Sequence, residues 1–123
     1  MNCLSAYIEI CTDFILGIRA EAILLMSEKY GLRREITDAL IDIATDCNIR
    51  KIILFGSRAR GDFKKTSDID IAVYGVETER FAIEIEDRVP TLLEFDVVDM
   101  KKPVQEDLKA SIEKEGVVIY EKV

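Results

Sequence analysis

Apolar residues recur along this chain first at helical and then at strand spacing, and the switches between the two predict a small α/β domain. Leu4, Ile8, Cys11, Ile15, Ile18, Ala22 and Leu25 alternate steps of four and three, which predicts a helix from about Leu4 to Tyr30, ended by Gly31. Tyr7, Phe14, Ile23 and Leu24 widen its apolar surface beyond one stripe, so this helix needs cover on more than one side, from its own domain or from another chain. Ile36, Leu40, Ile43 and Cys47 predict a second helix over about Arg33 to Cys47. Lys51 to Phe55 is short, apolar and rich in β-branched residues, as a buried strand is, and Asp68 to Tyr74 alternates as a second strand ended by Gly75. Thr78 can cap a helix that runs to about Val89, before Pro90. A third strand follows over Glu94 to Met100. Pro103 suits the first turn of a helix carrying Val104, Leu108 and Ile112, Gly116 closes it, and Val117 to Tyr120 forms a last short strand. The sum is an α/β (α+β) fold, helices packed on a small mixed β-sheet, with an extra N-terminal helix.

The junction between the first two strands, Gly56 to Asp70, carries the chemistry. Glycine lets the backbone approach a phosphate closely, a turn opening into a helix points free N–H groups at it, and the Ser57 hydroxyl adds a donor. A lone Gly-Ser pair after a strand is most often only a turn. Asp68 and Asp70 share one face of their strand while Ile69 and Ile71 take the other. Two adjacent carboxylates repel unless a cation lies between them, and magnesium takes a few carboxylates together with substrate phosphates. A solvated sheet face would accommodate the same pair. Asp96 and Asp99 are three residues apart in the third strand and so point to opposite faces, which leaves one of them to join Asp68 and Asp70. Asp96 lies mid-strand between Phe95 and Val97, where an unpaired charge would be unfavourable, and is the better ligand. Asp99 lies beside Lys101 and Lys102, where water or a lysine can satisfy it. Arg58 and Arg60 could contact phosphate, although an arginine in a turn is more often paired with a carboxylate. Lys64 and Lys65 read as a solvated tip, and the Arg60-Gly61-Asp62 tripeptide as chance.

Composition narrows the function. The 123 residues suit one domain, and the net charge of -7 disfavours nucleic acid as a partner, since phosphate binding wants a basic footprint. The absence of histidine removes Ser-His and Cys-His nucleophile arrangements and histidine-rich zinc sites. Cys3, Cys11 and Cys47 contain no Cys-x-x-Cys pair and read as small apolar residues in a reducing compartment. Glu9, Asp13 and Arg19 interrupt the N-terminal apolar run, which has no basic leading region, so neither a signal peptide nor a membrane span is expected and the chain reads as cytoplasmic.

Gly56-Ser57, ten intervening residues and Asp68-Ile69-Asp70 resemble the signature of the DNA polymerase β-type nucleotidyltransferase superfamily. The form Gly-Ser-Arg-Ala-Arg-Gly, the Phe95-Asp96-Val97-Val98-Asp99 segment and the ending from Glu106 to Tyr120 are similar to its minimal nucleotidyltransferases. The resemblance runs from about Arg33 to the C-terminus and implies two units, residues 1–31 as a helical extension and 32–123 as a nucleotidyltransferase domain. It implies that Asp68, Asp70 and Asp96 are catalytic and hold two Mg2+ ions, or Mn2+, and that Gly56, Ser57 and Arg58 bind the nucleotide. The implied reaction is transfer of AMP from ATP to a hydroxyl with release of pyrophosphate. Members resembling this chain are commonly antitoxins that modify a tyrosine of a HEPN-type helical toxin. The acidic surface and the broad apolar first helix fit a protein partner, or a homo-oligomer formed through that helix. Two alternatives stay open: neutralisation of a partner by occlusion without catalysis, and transfer to a small molecule.

Overall fold

The computed structural model describes residues 29–122. The first predicted helix, Leu4 to Tyr30, lies almost wholly outside the described residues, and so does the extension 1–31 as a unit. From Arg33 onward the expected order of elements is present: helix α1 (Arg34–Asp46), strand β1 (Ile49–Phe55), a single turn α2 (Ser57–Arg60), β2 (Ile69–Gly75), α3 (Thr78–Arg88), β3 (Phe95–Asp99), α4 (Glu106–Glu115) and β4 (Val117–Glu121).

The four strands form one mixed sheet in the order β3-β2-β1-β4. β1 pairs antiparallel with both β2 and β4, while β3 runs parallel to β2. The parallel pair is joined through α3, as a parallel connection requires. Strand alternation then divides the core in two. Ile52, Leu54, Ile69, Ile71 and Val73 point to the face covered by α1 and α3, where they meet Ile36, Leu40, Ile43, Phe81 and Ile85. Phe55, Ala72, Val98 and Met100 point to the other face, where α4 lays Leu108 and Ile112 over the middle of the sheet. On that second face Asp96 is exposed and Asp70 only half-buried.

Several element ends differ from expectation for local reasons. β1 starts at Ile49, before the apolar run, because backbone pairing with Gly75 continues past the exposed Arg50. Asn48 takes a left-handed φ of 55° between α1 and β1, a conformation asparagine tolerates. Thr78 does not cap α3. It is the first helical residue, its hydroxyl donates to Gly75 O at 3.4 Å, and Glu77 occupies the capping position. Pro103 lies ahead of α4, whose capping residue is Gln105. Glu106 and Asp107 in its first turn complement the positive end of the helix dipole. No described helix is long and apolar enough to cross a membrane.

Candidate active site

The site is assembled where β1 ends and β2 and β3 begin. Gly56 leaves β1 with φ 78° and ψ -155°, a conformation open to glycine almost alone. A Cβ at this position would run into the Asp70 carboxylate. Glycine is therefore required twice over, once for backbone conformation and once so that β2 can bring Asp70 against the turn. α2 is closed by bonds from Arg60 N to Gly56 O at 3.0 Å and from Gly61 N to Ser57 O at 2.9 Å. The N–H groups at the start of such a turn have no partner within it, which leaves them available to an anion.

Asp68 stands one residue ahead of β2, and Asp70 is the second residue of that strand. Parallel pairing sets Asp70 directly opposite Asp96. A hydrogen bond from Ile69 N to Glu94 O at 2.9 Å aligns the two strand starts. The electrostatic result falls on Asp70: burial chiefly, then the Asp96 and Asp68 charges, push its carboxyl above the usual aspartate value, while Arg60 and Arg58 pull it back. Sequence reasoning chose Asp96 over Asp99 for its supposed burial. That ground does not hold, because Asp96 is exposed on edge strand β3; what the fold gives it is a register position opposite Asp70. Asp99 points to the opposite face, where its Oδ1 accepts from Lys101 N at 3.0 Å and its buried Oδ2 has no partner among the described residues. The lysine side chains expected to satisfy it go elsewhere: Lys101 Nζ donates to Val76 O and Lys102 pairs with Glu79.

The two arginines separate. Arg58 is turned inward and only 1% exposed. Its Nη1 donates to Tyr30 O and Gly31 O at 3.1 Å each, its Nε and Nη2 donate to Ser67 O at 3.2 and 2.9 Å, and Nη2 also reaches Lys65 O at 3.4 Å. The guanidinium lies 4.9 Å from the centre of the Phe63 ring. Expected at the nucleotide, it instead ties the segment before α1 to the loop before β2, with its donors directed at carbonyls. Arg60 is on the surface, held by Asp62 at 3.2 Å and Glu115 at 3.2 Å, and of the two it does more to lower the Asp70 carboxyl. Spacing alone did not tell these two residues apart.

Among the described residues no group of three acidic side chains is already arranged to hold a metal ion. The donor chemistry nevertheless fits a hard divalent cation. Asp70 carries repulsion from two carboxylates that Arg60 and Arg58 offset only in part, and magnesium completes its shell with phosphate oxygens and water. Beside Asp68 opens a cleft of about 830 Å3 with apolar walls from Ile36, Phe63, Leu92 and Leu93, and Lys65 on its border.

Residues 38–123 match the family model described as polymerase beta, nucleotidyltransferase. Two relatives from Methanocaldococcus jannaschii are each provisionally named a protein adenylyltransferase. One is 46% identical over 50 residues, 41% of this chain and 48% of its own length. The other is 38% identical over 58 residues, 46% of this chain and 67% of its own length. This chain thus spans about half the length of the first of them. Among solved structures, a toxin–antitoxin complex with AMP-PNP superposes with a TM-score of 0.57 at 22% identity, covering 70% of this chain and 73% of that one. A variant of the toxin–antitoxin pair MntA–HpeT superposes with a TM-score of 0.56 at 20% identity, again over 70% and 73% of the two chains. At such identities these likenesses speak for the fold, and with the family match over most of its length, this chain belongs to the polymerase beta nucleotidyltransferase family.

Proposed function

We propose that this protein transfers AMP from ATP to a tyrosine hydroxyl of a HEPN-type helical toxin, and so acts as an antitoxin. The observation that carries the reading is the pairing of Asp70 with Asp96 across β2 and β3, with Gly56 closing against the same Asp70 carboxylate. Family membership, the names of the two archaeal relatives and the toxin–antitoxin fold neighbours support it.

In this reading the backbone after Gly56 and the Ser57 hydroxyl hold the terminal phosphates. Arg60 swings from Asp62 and Glu115 to neutralise them, and Arg58 keeps the loop in shape. Asp68 and Asp70 hold magnesium, which when bound neutralises charge on the triphosphate and lowers the pKa of the acceptor hydroxyl. Asp96, exposed beside Asp70, takes the proton of the acceptor hydroxyl. The hydroxyl oxygen forms a bond to the α-phosphorus, the bond from that phosphorus to the bridging oxygen breaks, and pyrophosphate leaves with the electron pair.

The test is to incubate purified protein, ATP, magnesium and the partner and to weigh the partner by intact mass spectrometry. One adenylyl group on a tyrosine is expected, and none with Asp70→Asn. A partner that gains no mass refutes transfer. A D70N protein that neutralises its partner as well as the natural one would instead establish occlusion.

A further inference from the structure

The end of the sheet away from Gly56 holds a second open cleft, of about 510 Å3, lined by Arg50, Lys51, Tyr74, Glu121 and Lys122. Lys51 lies in register with Tyr74 on β2 and with Glu121 on β4, and its Nζ is 5.9 Å from the centre of the Tyr74 ring. The cleft is separated from the Gly-Ser turn by the length of β1, roughly 20 Å at strand rise.

Its charge is out of keeping with the rest of the protein. Three cations face one carboxylate in a chain whose net charge is -7. Arg34, Arg60, Arg80, Arg88 and Lys102 each form an ion pair with a nearby carboxylate, while Lys64, Lys65, Lys109 and Lys114 form none among the described residues, so what marks this cleft is the gathering of three cations around one concavity. Among the described residues Arg50, Lys51 and Lys122 form none, although Glu121 stands opposite Lys51. Like charges gathered around one concavity repel, and an anion between them removes that repulsion. The volume exceeds that of a bare phosphate and falls in the range of small-molecule sites. The half-buried Tyr74 ring supplies the one flat apolar surface.

We infer that this cleft binds a small organic phosphate, with the phosphate on Arg50, Lys51 and Lys122 and a flat ring beside Tyr74. The charge pattern supports a phosphate over an acidic protein segment, because Glu121 among the lining residues would repel a run of carboxylates more than a compact anion held by the three cations. The site is independent of the metal-binding carboxylates, so its occupation neither needs a divalent ion nor requires the transfer reaction.

The probe is AMP, titrated into the isotope-labelled full chain in EDTA and followed by amide chemical shifts. Saturable shifts are expected at Lys51, Tyr74 and Lys122 and not at Gly56 or Ser57. Adenosine should give no shift there, and inorganic phosphate should bind the same residues more weakly. Lys51→Gln and, separately, Lys122→Gln should each weaken AMP about tenfold, the loss of one charge-assisted contact. Lys109→Gln, on α4, should not weaken it, and core resonances of all three variants should stay in place. Unsaturable shifts spread equally over Lys64, Lys65, Lys101 and Lys102 would overturn the proposal, as would shifts confined to the Gly-Ser turn or no shift at all. Equal affinity for a glutamate-rich peptide would also overturn it, making the cleft a protein-docking surface.

Discussion

Replacing Arg58 with methionine keeps an apolar stem of similar length and removes the guanidinium fork. Its bond to Tyr30 O is fully buried, so that carbonyl loses its partner with no water to replace it, which costs about 1–3 kcal/mol. The bonds to Gly31 O and Ser67 O are only partly buried, and each adds about 0.5–1.5 kcal/mol. Loss of the cation over Phe63 removes about 0.5–1 kcal/mol more. The total is about 2.5–7 kcal/mol, a large part of the 5–15 kcal/mol that holds a domain of this size together. Thermal melts should therefore fall by at least about 10 °C, given some 4–8 °C per kcal/mol. At a temperature where the variant remains folded, its KM for ATP should match that of the natural protein. A melting temperature lowered by less than about 2 °C, together with a KM for ATP raised tenfold, would refute the reasoning. The guanidinium would then act on phosphate and not on the loop.

Arg60→Gln is the complement: its exposed ion pairs add little to stability, so the melting temperature should hardly move while kcat/KM for ATP falls at least tenfold, read by steady-state kinetics. Asp70→Asn should abolish transfer, by a hundredfold or more, and yet raise the melting temperature of the metal-free protein. The Asp70 carboxyl titrates above its unfolded value, so stability present below the usual aspartate pKa is lost as pH rises towards the raised value. The advantage of the asparagine variant should accordingly be full at neutral pH and vanish in acid, as denaturant melts at several pH values would show. Gly56→Ala should lose about 1–3 kcal/mol from its backbone conformation alone, and more than tenfold in activity, because its methyl group displaces Asp70. Asp96→Asn and Asp99→Asn should part company in the same transfer assay: the first loses activity by a hundredfold or more, and the second keeps it within about threefold.

The residue pattern by itself determined the elements from Arg33 onward, the mixed sheet and the motif that marks the family, because helix and strand periods are local properties of a chain. Alternation within one strand also parted Asp96 from Asp99, whereas Asp68, read as part of the second strand, lies one residue ahead of β2. What periodicity could not contain is the pairing between strands. Asp96 faces Asp70 because α3 returns the chain parallel to β2 in one particular register, and the edge position of β3 keeps that face open. Nor could it separate Arg58 from Arg60. Two residues apart in one helical turn, they point different ways, and the inward one is set by the carbonyls of Tyr30 and Gly31, almost thirty positions earlier in the chain. The cleft of Arg50, Lys51 and Lys122 has the same origin, since only the pairing of β1 with β4 brings distant cations together. Local chemistry is written along the chain, whereas the partners that make a buried arginine structural, or set one carboxylate opposite another, come from packing between segments far apart in sequence.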